Sequence, residues 1–308
     1  MAHKMVTPAD AQIIQDDIGL PTISRGQRFV HHTITQNLLL RPVHLLGVVI
    51  VVAVTLLAFF GPVIAPHNPV IPDYTAMLAG PSANHLFGTD PIGYDIFSRI
   101  LAGARLSLGT AVSVLAIALV IGLPLGALSG MAGGWIDEVV MRVTDMFLAF
   151  PALILALAIA AALGPGLVSA AIALSMAFWP WYARLLRGQV LSLKNMDYVQ
   201  AATIIGTRPV GLMWRHILPN ALSPIIVELS MDVGYAVLAT ASLSFIGLGA
   251  QPPSPEWGAM IVAGRDYLRT AWWTEAFPGI ALTLTVLGFN LTGDGLRDAL
   301  DPRAAHIR

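Results

Sequence analysis

Two carboxylates, Glu228 and Asp232, stand four residues apart in a long apolar stretch. At that spacing they share one face of a helix. A charge in hydrocarbon is costly, so such residues face a bundle interior or a cavity. A carboxylate pair on a cavity wall can receive a cationic group such as a peptide amino terminus; a pair bonded to neighbouring helices or a partner chain is the plainer reading. Just before them lies a second unusual pattern, residues 200–220, which read Gln-Ala-Ala-Thr-Ile-Ile-Gly, nine residues, then His-Ile-Leu-Pro-Asn. This polar, positively charged stretch separates two long apolar segments and predicts two short helices about a glycine hinge. Asn195 or Asp197 is expected to cap the first, with Tyr198, Ala202 and Ile205 as its apolar face. Gly206 supplies a left-handed stop. Pro209 opens the second helix, where Val210, Met213, Trp214 and Ile217 form one stripe, and Pro219 is expected to end it. Ala201 and Ala202 are small enough to let another surface approach the backbone. The hairpin is shaped either to dock on another protein or to lie on a membrane surface.

Other chemistry is excluded. His-Glu-x2-His and Gly-x-Ser-x-Gly are absent, so no catalytic residue is assigned. Asp294 beside Gly293 and Asp95 after Tyr94 superficially suggest an intramembrane aspartyl protease, but Asp95 falls in a segment outside the membrane. Gly-x4-Gly-Lys-[Ser/Thr] is also absent, because Lys4 precedes Met5 and Lys194 precedes Asn195. The chain therefore has no loop to cradle ATP phosphates, and its energy must come from a partner or an ion gradient. There is no cysteine. His216 sits in the hairpin and His31-His32 in the polar N-terminal tail, and no metal is assigned. A net charge of −1 argues neither for nor against nucleic acid, and none is expected as a partner.

What must position these residues is a membrane bundle. Of 308 residues, 56% are hydrophobic and 11% charged, against about 25% charged in a soluble domain. A membrane helix needs roughly 20 apolar residues, and the uncharged runs place six: 43–65, about 106–129, about 139–163, 167–187, about 221–248 and about 276–293. Gly130, Gly133 and Gly134 loosen the end of the second, and Gly164-Pro165-Gly166 separates the third from the fourth. The fold class is thus an all-α integral membrane protein. Basic residues orient it. With the N-terminus inside, thirteen fall on the inner side (Lys4, Arg25, Arg28, Arg41, Arg142, Arg184, Arg187, Lys194, Arg208, Arg215, Arg297, Arg303 and Arg308) and four on the outer (Arg99, Arg105, Arg265 and Arg269). Residues 1–42 form a cytoplasmic tail with a possible interfacial helix at 24–40, and 43–65 a retained signal-anchor helix. Segment 66–104 is external, 105–295 a five-helix core containing the cytoplasmic loop 188–220, and 296–308 a cytoplasmic tail. Arg142 and Asp145 are expected to pair at i, i+3, and Trp179-Pro180-Trp181 to mark a kink with interfacial aromatics.

Ala201-Ala202-x3-Gly206-x12-Pro219 resembles the "EAA" loop of binding-protein-dependent ABC importer permeases. Four further blocks resemble the peptide/nickel-type members in order. They are Phe87-Gly88-Thr89-Asp90 through Gly93, Asp95, Ser98-Arg99 to Leu108; Gly133-Gly134-Trp135 through Asp145 to Phe150-Pro151; Leu243-Ser244-Phe245 through Gln251-Pro252-Pro253 to Trp257-Gly258; and Phe289-Asn290-Leu291 through Gly293-Asp294-Gly295 to Pro302. Two positions depart: Gln200 stands where the family has Glu, and Tyr94 where it has Arg. The resemblance implies a type I ABC importer permease fold whose cytoplasmic loop carries a coupling helix, with Gln200, Ala201, Ala202, Gly206, His216, Leu218 and Pro219 against the ATPase. It implies a second homologous permease, two cytoplasmic ATPase subunits that use ATP and Mg, an external solute-binding protein that Asp90, Asp95 or Arg99 contact (or else the partner permease), and a bacterial inner membrane, with no cofactor held by this chain. The substrate class it implies is a small solute, di- or oligopeptides foremost. A stand-alone secondary transporter or channel is the rival, weakened because no inverted pair of broken helices is evident.

Overall fold

The computed structural model describes residues 41–300. Lys4, Arg25, Arg28, Arg303, Arg308, His31-His32, Pro302 and the helix expected at 24–40 lie outside the described residues. Within them the regular structure is helical, joined by loops and with an isolated bridge between Thr89 and Asp95. The order is α1 Pro42–Ile64, α2 Ile96–Ala132, α3 Gly134–Leu148, α4 Ala152–Leu163, α5 Leu167–Leu193, α6 Asp197–Ile204, α7 Pro209–Leu212, α8 Leu218–Phe245, α9 Trp257–Gly264 and α10 Trp273–Leu300.

Four stretches are long and apolar enough to cross a membrane: α1, α2, the run Pro209–Phe245 ending in α8, and α10. The bent pair α3–α4 makes a fifth. Of the six expected crossings, the remaining one falls on α5, which has the length to span but is less apolar, carrying Trp179, Pro180, Trp181, Tyr182 and Arg184. The expected third helix is in fact two, meeting at 86° across residues 149–151; Pro151, which cannot donate to the helix ladder, opens the second. The second span begins nearly three turns before its uncharged run, at Ile96, because Asp95 caps it: Asp95 Oδ2 accepts from the Ser98 amide at 2.8 Å and from its hydroxyl at 2.6 Å. Gly133 and Gly134, both at positive φ, close it as expected.

The centre of the bundle is the pair α2–α5, the most extensive helix contact. Without a hydrophobic drive between helices in lipid, close backbone approach supplies the packing energy. Gly122, Gly126 and Gly130, one turn apart, provide it: a Cβ on Gly126 would lie 2.3 Å from the Ala183 carbonyl oxygen, and one on Gly122 would lie 2.5 Å from that of Trp179. Helices α8 and α10 complete the core, and α1 packs on α2 and α10 from outside. Arg187 clamps α3 to the end of α5, its Nε and Nη2 each 2.6 Å from an Asp137 carboxylate oxygen. The expected Arg142–Asp145 pair is not made. Arg142 pairs instead with Glu138 at 2.8 Å, one turn back, and Asp145 with Arg184 across the helices. Helix α5 runs unbroken through Pro180.

Candidate functional site

The polar hairpin hangs from the ends of α5 and α8 and is anchored by its own core. Leu186, Val190 and Leu193 of α5 pack with Val199, Ala202, Leu212, Met213, Ile217, Ala221 and Ile225. The buried face of α6 is therefore Val199 and Ala202, three residues apart, rather than Tyr198, Ala202 and Ile205; Tyr198 and Ile205 point outward. Neither Asn195 nor Asp197 caps α6. The cap position is Met196, and the Asn195 amide turns back to the Leu191 carbonyl at 3.0 Å. Gln200 reaches back in the same way, its side-chain amide donating to the Asn195 carbonyl at 3.1 Å.

Gly206 acts as expected. Its φ is +88°, the Thr207 amide bonds to the Ala202 carbonyl at 3.1 Å and the Gly206 amide to that of Thr203 at 3.0 Å. This is the paired closure that a left-handed C-terminal glycine allows. Pro209 opens the second helix at its first position. Pro219 does not end it. The chain passes through a π-turn, Met213–Ile217, and continues into α8, where Pro219 sits in the first turn. A π-turn shifts the bonding to i→i+5, so the missing Pro219 N–H falls at a junction where the α ladder is already interrupted. The same shift splits the expected stripe: Met213 and Ile217 turn inward, while Val210 and Trp214 are 70% and 68% exposed.

The outcome is an apolar rim on a polar loop. Ile204 and Ile205 are 85% and 82% exposed and stand beside exposed Ala201 and Gly206, with Val210 and Trp214 on the next turn. His216 and Leu218 are half-buried behind them and Pro219 is exposed. Isolated exposed apolar residues are ordinary, but four large ones within eleven residues of a loop that has its own buried core make this hairpin a candidate interaction surface.

Inside the bundle, Glu228 and Asp232 face α5. The Trp181 indole N–H donates to Glu228 Oε1 at 2.9 Å, and the Tyr182 hydroxyl donates to Asp232 Oδ2 at 2.6 Å. Both carboxylates line a cavity of about 280 Å³ walled by Phe178, Trp181, Tyr182 and Tyr235. Glu228 also borders a second cavity of about 350 Å³ that extends toward Ser223, Arg297 and Leu300. The carboxylates are thus bonded to a neighbouring helix and also open to a cavity, and Glu228 lines both cavities. Trp181, expected as an interfacial aromatic at a kink, lines the site instead, and Tyr182 is a site residue that the sequence reading passed over.

At the opposite end of the bundle, Asp90, Asp95 and Arg99 are buried within the chain rather than presented on its surface. Asp90 Oδ1 accepts from the amides of Ile92 and Tyr94, both at 2.9 Å. Arg99 donates to the carbonyls of Pro69 and Ser254 at 3.1 and 3.0 Å, with its guanidinium 4.3 Å from the Tyr94 ring centroid. Tyr94, standing where the family has Arg, supplies a π-face for Arg99. Glu256 caps α9 through the amides of Gly258 and Ala259, both at 2.9 Å, and Trp257 donates to the Ile100 carbonyl at 3.1 Å. The two sequence blocks at this end lock to each other. Here too His67, His85 and Asp95 converge, with ligand atoms within 4.8 Å of one another. No local spacing announces that group.

The chain matches the family of binding-protein-dependent transport system inner membrane components over residues 122–306, and the N-terminal transmembrane domain of oligopeptide transport permease C over residues 34–81. It is similar to a probable D,D-dipeptide transport system permease protein of Escherichia coli K12, at 49% identity over 85% of this chain and 88% of the relative. It is similar also to the dipeptide transport system permease protein of Alkalihalophilus pseudofirmus, at 45% identity over 84% and 85%, and to a glutathione transport system permease protein of Pectobacterium atrosepticum, at 46% over 75% and 77%. Among solved structures, the MetNI methionine ABC transporter in an inward-facing conformation matches with a TM-score of 0.55 at 19% identity, over 66% of this chain and 96% of that one.

Proposed function

Since this chain belongs to the binding-protein-dependent transport system inner membrane components and is a permease subunit of an ABC importer, we propose that it passes small peptides along the cavities lined by Glu228 and takes its energy through the hairpin at 194–220. The hairpin carries this reading: Ile204, Ile205, Val210 and Trp214 stand exposed on a loop whose own core holds it rigid. A connector with no partner has no reason to hold such a group in place. The partner this fits is a cytoplasmic ATPase subunit, because the sequence has no phosphate loop of its own. Two ATPase subunits using ATP and Mg, a second homologous permease and an external solute-binding protein complete the assembly, in a bacterial inner membrane with both termini cytoplasmic. The basic-residue asymmetry supports that orientation.

Peptides are supported by two observations. Relatives are named as permease proteins of dipeptide and glutathione transport systems, one of them as probable, and Glu228 and Asp232 offer the cavities two carboxylates suited to an amino terminus. ATP binding by the ATPases would swing the docked hairpins and open the permease pair toward the binding protein, and hydrolysis would reset it. Co-purification tests the assembly. A stable complex with the ATPases should survive Gly211→Ala and be lost on Ile205→Asp with Trp214→Asp. Full transport by the purified chain alone in liposomes would overturn the reading in favour of a secondary transporter.

A further inference from the structure

We propose that His67, His85 and Asp95 form a binding site for a divalent ion of the zinc class at the end of the bundle opposite the hairpin. His67 follows the end of α1, His85 lies in the connecting loop and Asp95 caps α2. His85 Nδ1 is 2.9 Å from Asp95 Oδ1, and His67 Nδ1 is 3.7 Å from Asp95 Oδ2. The two imidazole rings are 4.9 Å apart and tilted by 32°.

The three groups lie close enough to share one ion, and a hydrogen bond joins only two of them. Zinc holds imidazole nitrogen and carboxylate oxygen at about 2.0–2.2 Å in a tetrahedron, which sets neighbouring ligand atoms roughly 3.4 Å apart. The His85–Asp95 contact at 2.9 Å is a hydrogen bond in its own right, and the ligand atoms of the three groups lie within 4.8 Å of one another, near enough to contract onto one ion. The His67 contact of 3.7 Å is made to the other Asp95 oxygen and exceeds a hydrogen bond, so direct bonding leaves His67 unexplained, whereas an ion held on Asp95 Oδ1 brings in all three. Two imidazoles with one carboxylate suit zinc and its neighbours better than calcium or magnesium, which take oxygen ligands.

Supporting contacts fix the ligands, as metal sites require. Ser98 donates to Asp95 Oδ2 through its amide at 2.8 Å and its hydroxyl at 2.6 Å, and its Oγ accepts the His67 amide at 3.0 Å. Asp95 Oδ1 is left to face His85. The Asp95 side chain is 3% exposed and that of His67 is 43% exposed, which leaves the fourth position to water. The chain has no cysteine to brace this segment by a disulfide. An ion here ties the end of α1 to the start of α2 through three points of one loop.

The test uses the assembled transporter without a polyhistidine tag, stripped with a chelator and titrated with zinc alone against a chromophoric competitor. One saturable zinc per copy of this chain is expected, with a zinc-dependent rise in thermal midpoint and an X-ray absorption spectrum showing two imidazole ligands. His67→Gln changes an exposed side chain and should weaken binding by more than the roughly 10–100-fold of an outer-shell change, abolishing the thermal shift. His85→Ala should do the same. Should His85→Ala fail to fold, His67→Gln decides alone. No saturable zinc, or undiminished binding and thermal shift in His67→Gln, would overturn the proposal.

Discussion

The Trp181 indole donates to Glu228 at 2.9 Å and the next residue, Tyr182, to Asp232 at 2.6 Å, so one turn of α5 faces both carboxylates of α8. The charge of each carboxylate can be separated from its hydrogen bond. Glu228→Gln keeps an oxygen for the Trp181 donor and Asp232→Asn keeps one for Tyr182, while both charges go. Losing a charged partner in a desolvated site costs about 2–5 kcal/mol. Peptide uptake by the double variant is therefore expected to fall by about tenfold or more, with assembly and basal ATP hydrolysis retained. Vesicle uptake with coupled ATPase measurement checks this, and unchanged values for both would remove the carboxylates from the route.

Gln200 donates to the Asn195 carbonyl at 3.1 Å. Glutamate has no donor for that carbonyl, so Gln200→Glu loses one hydrogen bond with a net worth of about 1 kcal/mol. A negative charge in the first turns of α6 is favourable to the helix dipole and offsets part of that. Gln200→Glu should shift peptide-stimulated ATP hydrolysis by less than about twofold, because the proposed docking rests on the shape around Ala201 and Gly206. A large gain in stimulation or uptake would show a charge at this position to be part of the contact.

Gly206 differs from Gly211 in one respect that matters. Its φ of +88° is available to glycine at no cost, whereas Gly211 has no such requirement. A Cβ at Gly206 would meet nothing within 4 Å, so any effect of substitution is conformational rather than steric. Gly206→Ala should cost roughly 1–2 kcal/mol in the hairpin and reduce ATPase retention on co-purification. Gly211→Ala should leave it unchanged.

The parts legible in the sequence are those set by local chemistry. Gly206 and Pro209 mark the hairpin because a left-handed stop and a fixed φ are properties of single residues. Glu228 and Asp232 share a face because four residues make about one helical turn. The parts that were not legible depend on contacts between distant residues. Trp181 and Tyr182 meet their carboxylates across separations of 47 and 50 residues. The π-turn at Met213–Ile217 rearranged a stripe that a uniform helical period predicts. Asp90, Asp95 and Arg99 look like surface charges in a loop, and only the fold shows them spent on capping, a turn and a π-face.

Gly126 presents the backbone of α2 to the Ala183 carbonyl on α5, and a Cβ there would come within 2.3 Å of that oxygen. The atom in the way belongs to a helix backbone and cannot rotate aside, so even one added carbon must push the two helices apart. Gly122 and Gly130 sit one turn to either side with Cβ clearances of 2.5 and 2.7 Å, so separation at Gly126 loosens the whole seam. Overpacking of this kind costs about 1–3 kcal/mol, and the small-residue contact it removes is what holds membrane helices together. Gly126→Val should therefore lower the thermal midpoint in detergent and the yield of assembled complex. Gly109→Ala, on the same helix with nothing within 4 Å of its Cβ, should leave both unchanged. Equal midpoints for the two variants would show that the α2–α5 seam does not depend on backbone proximity at Gly126.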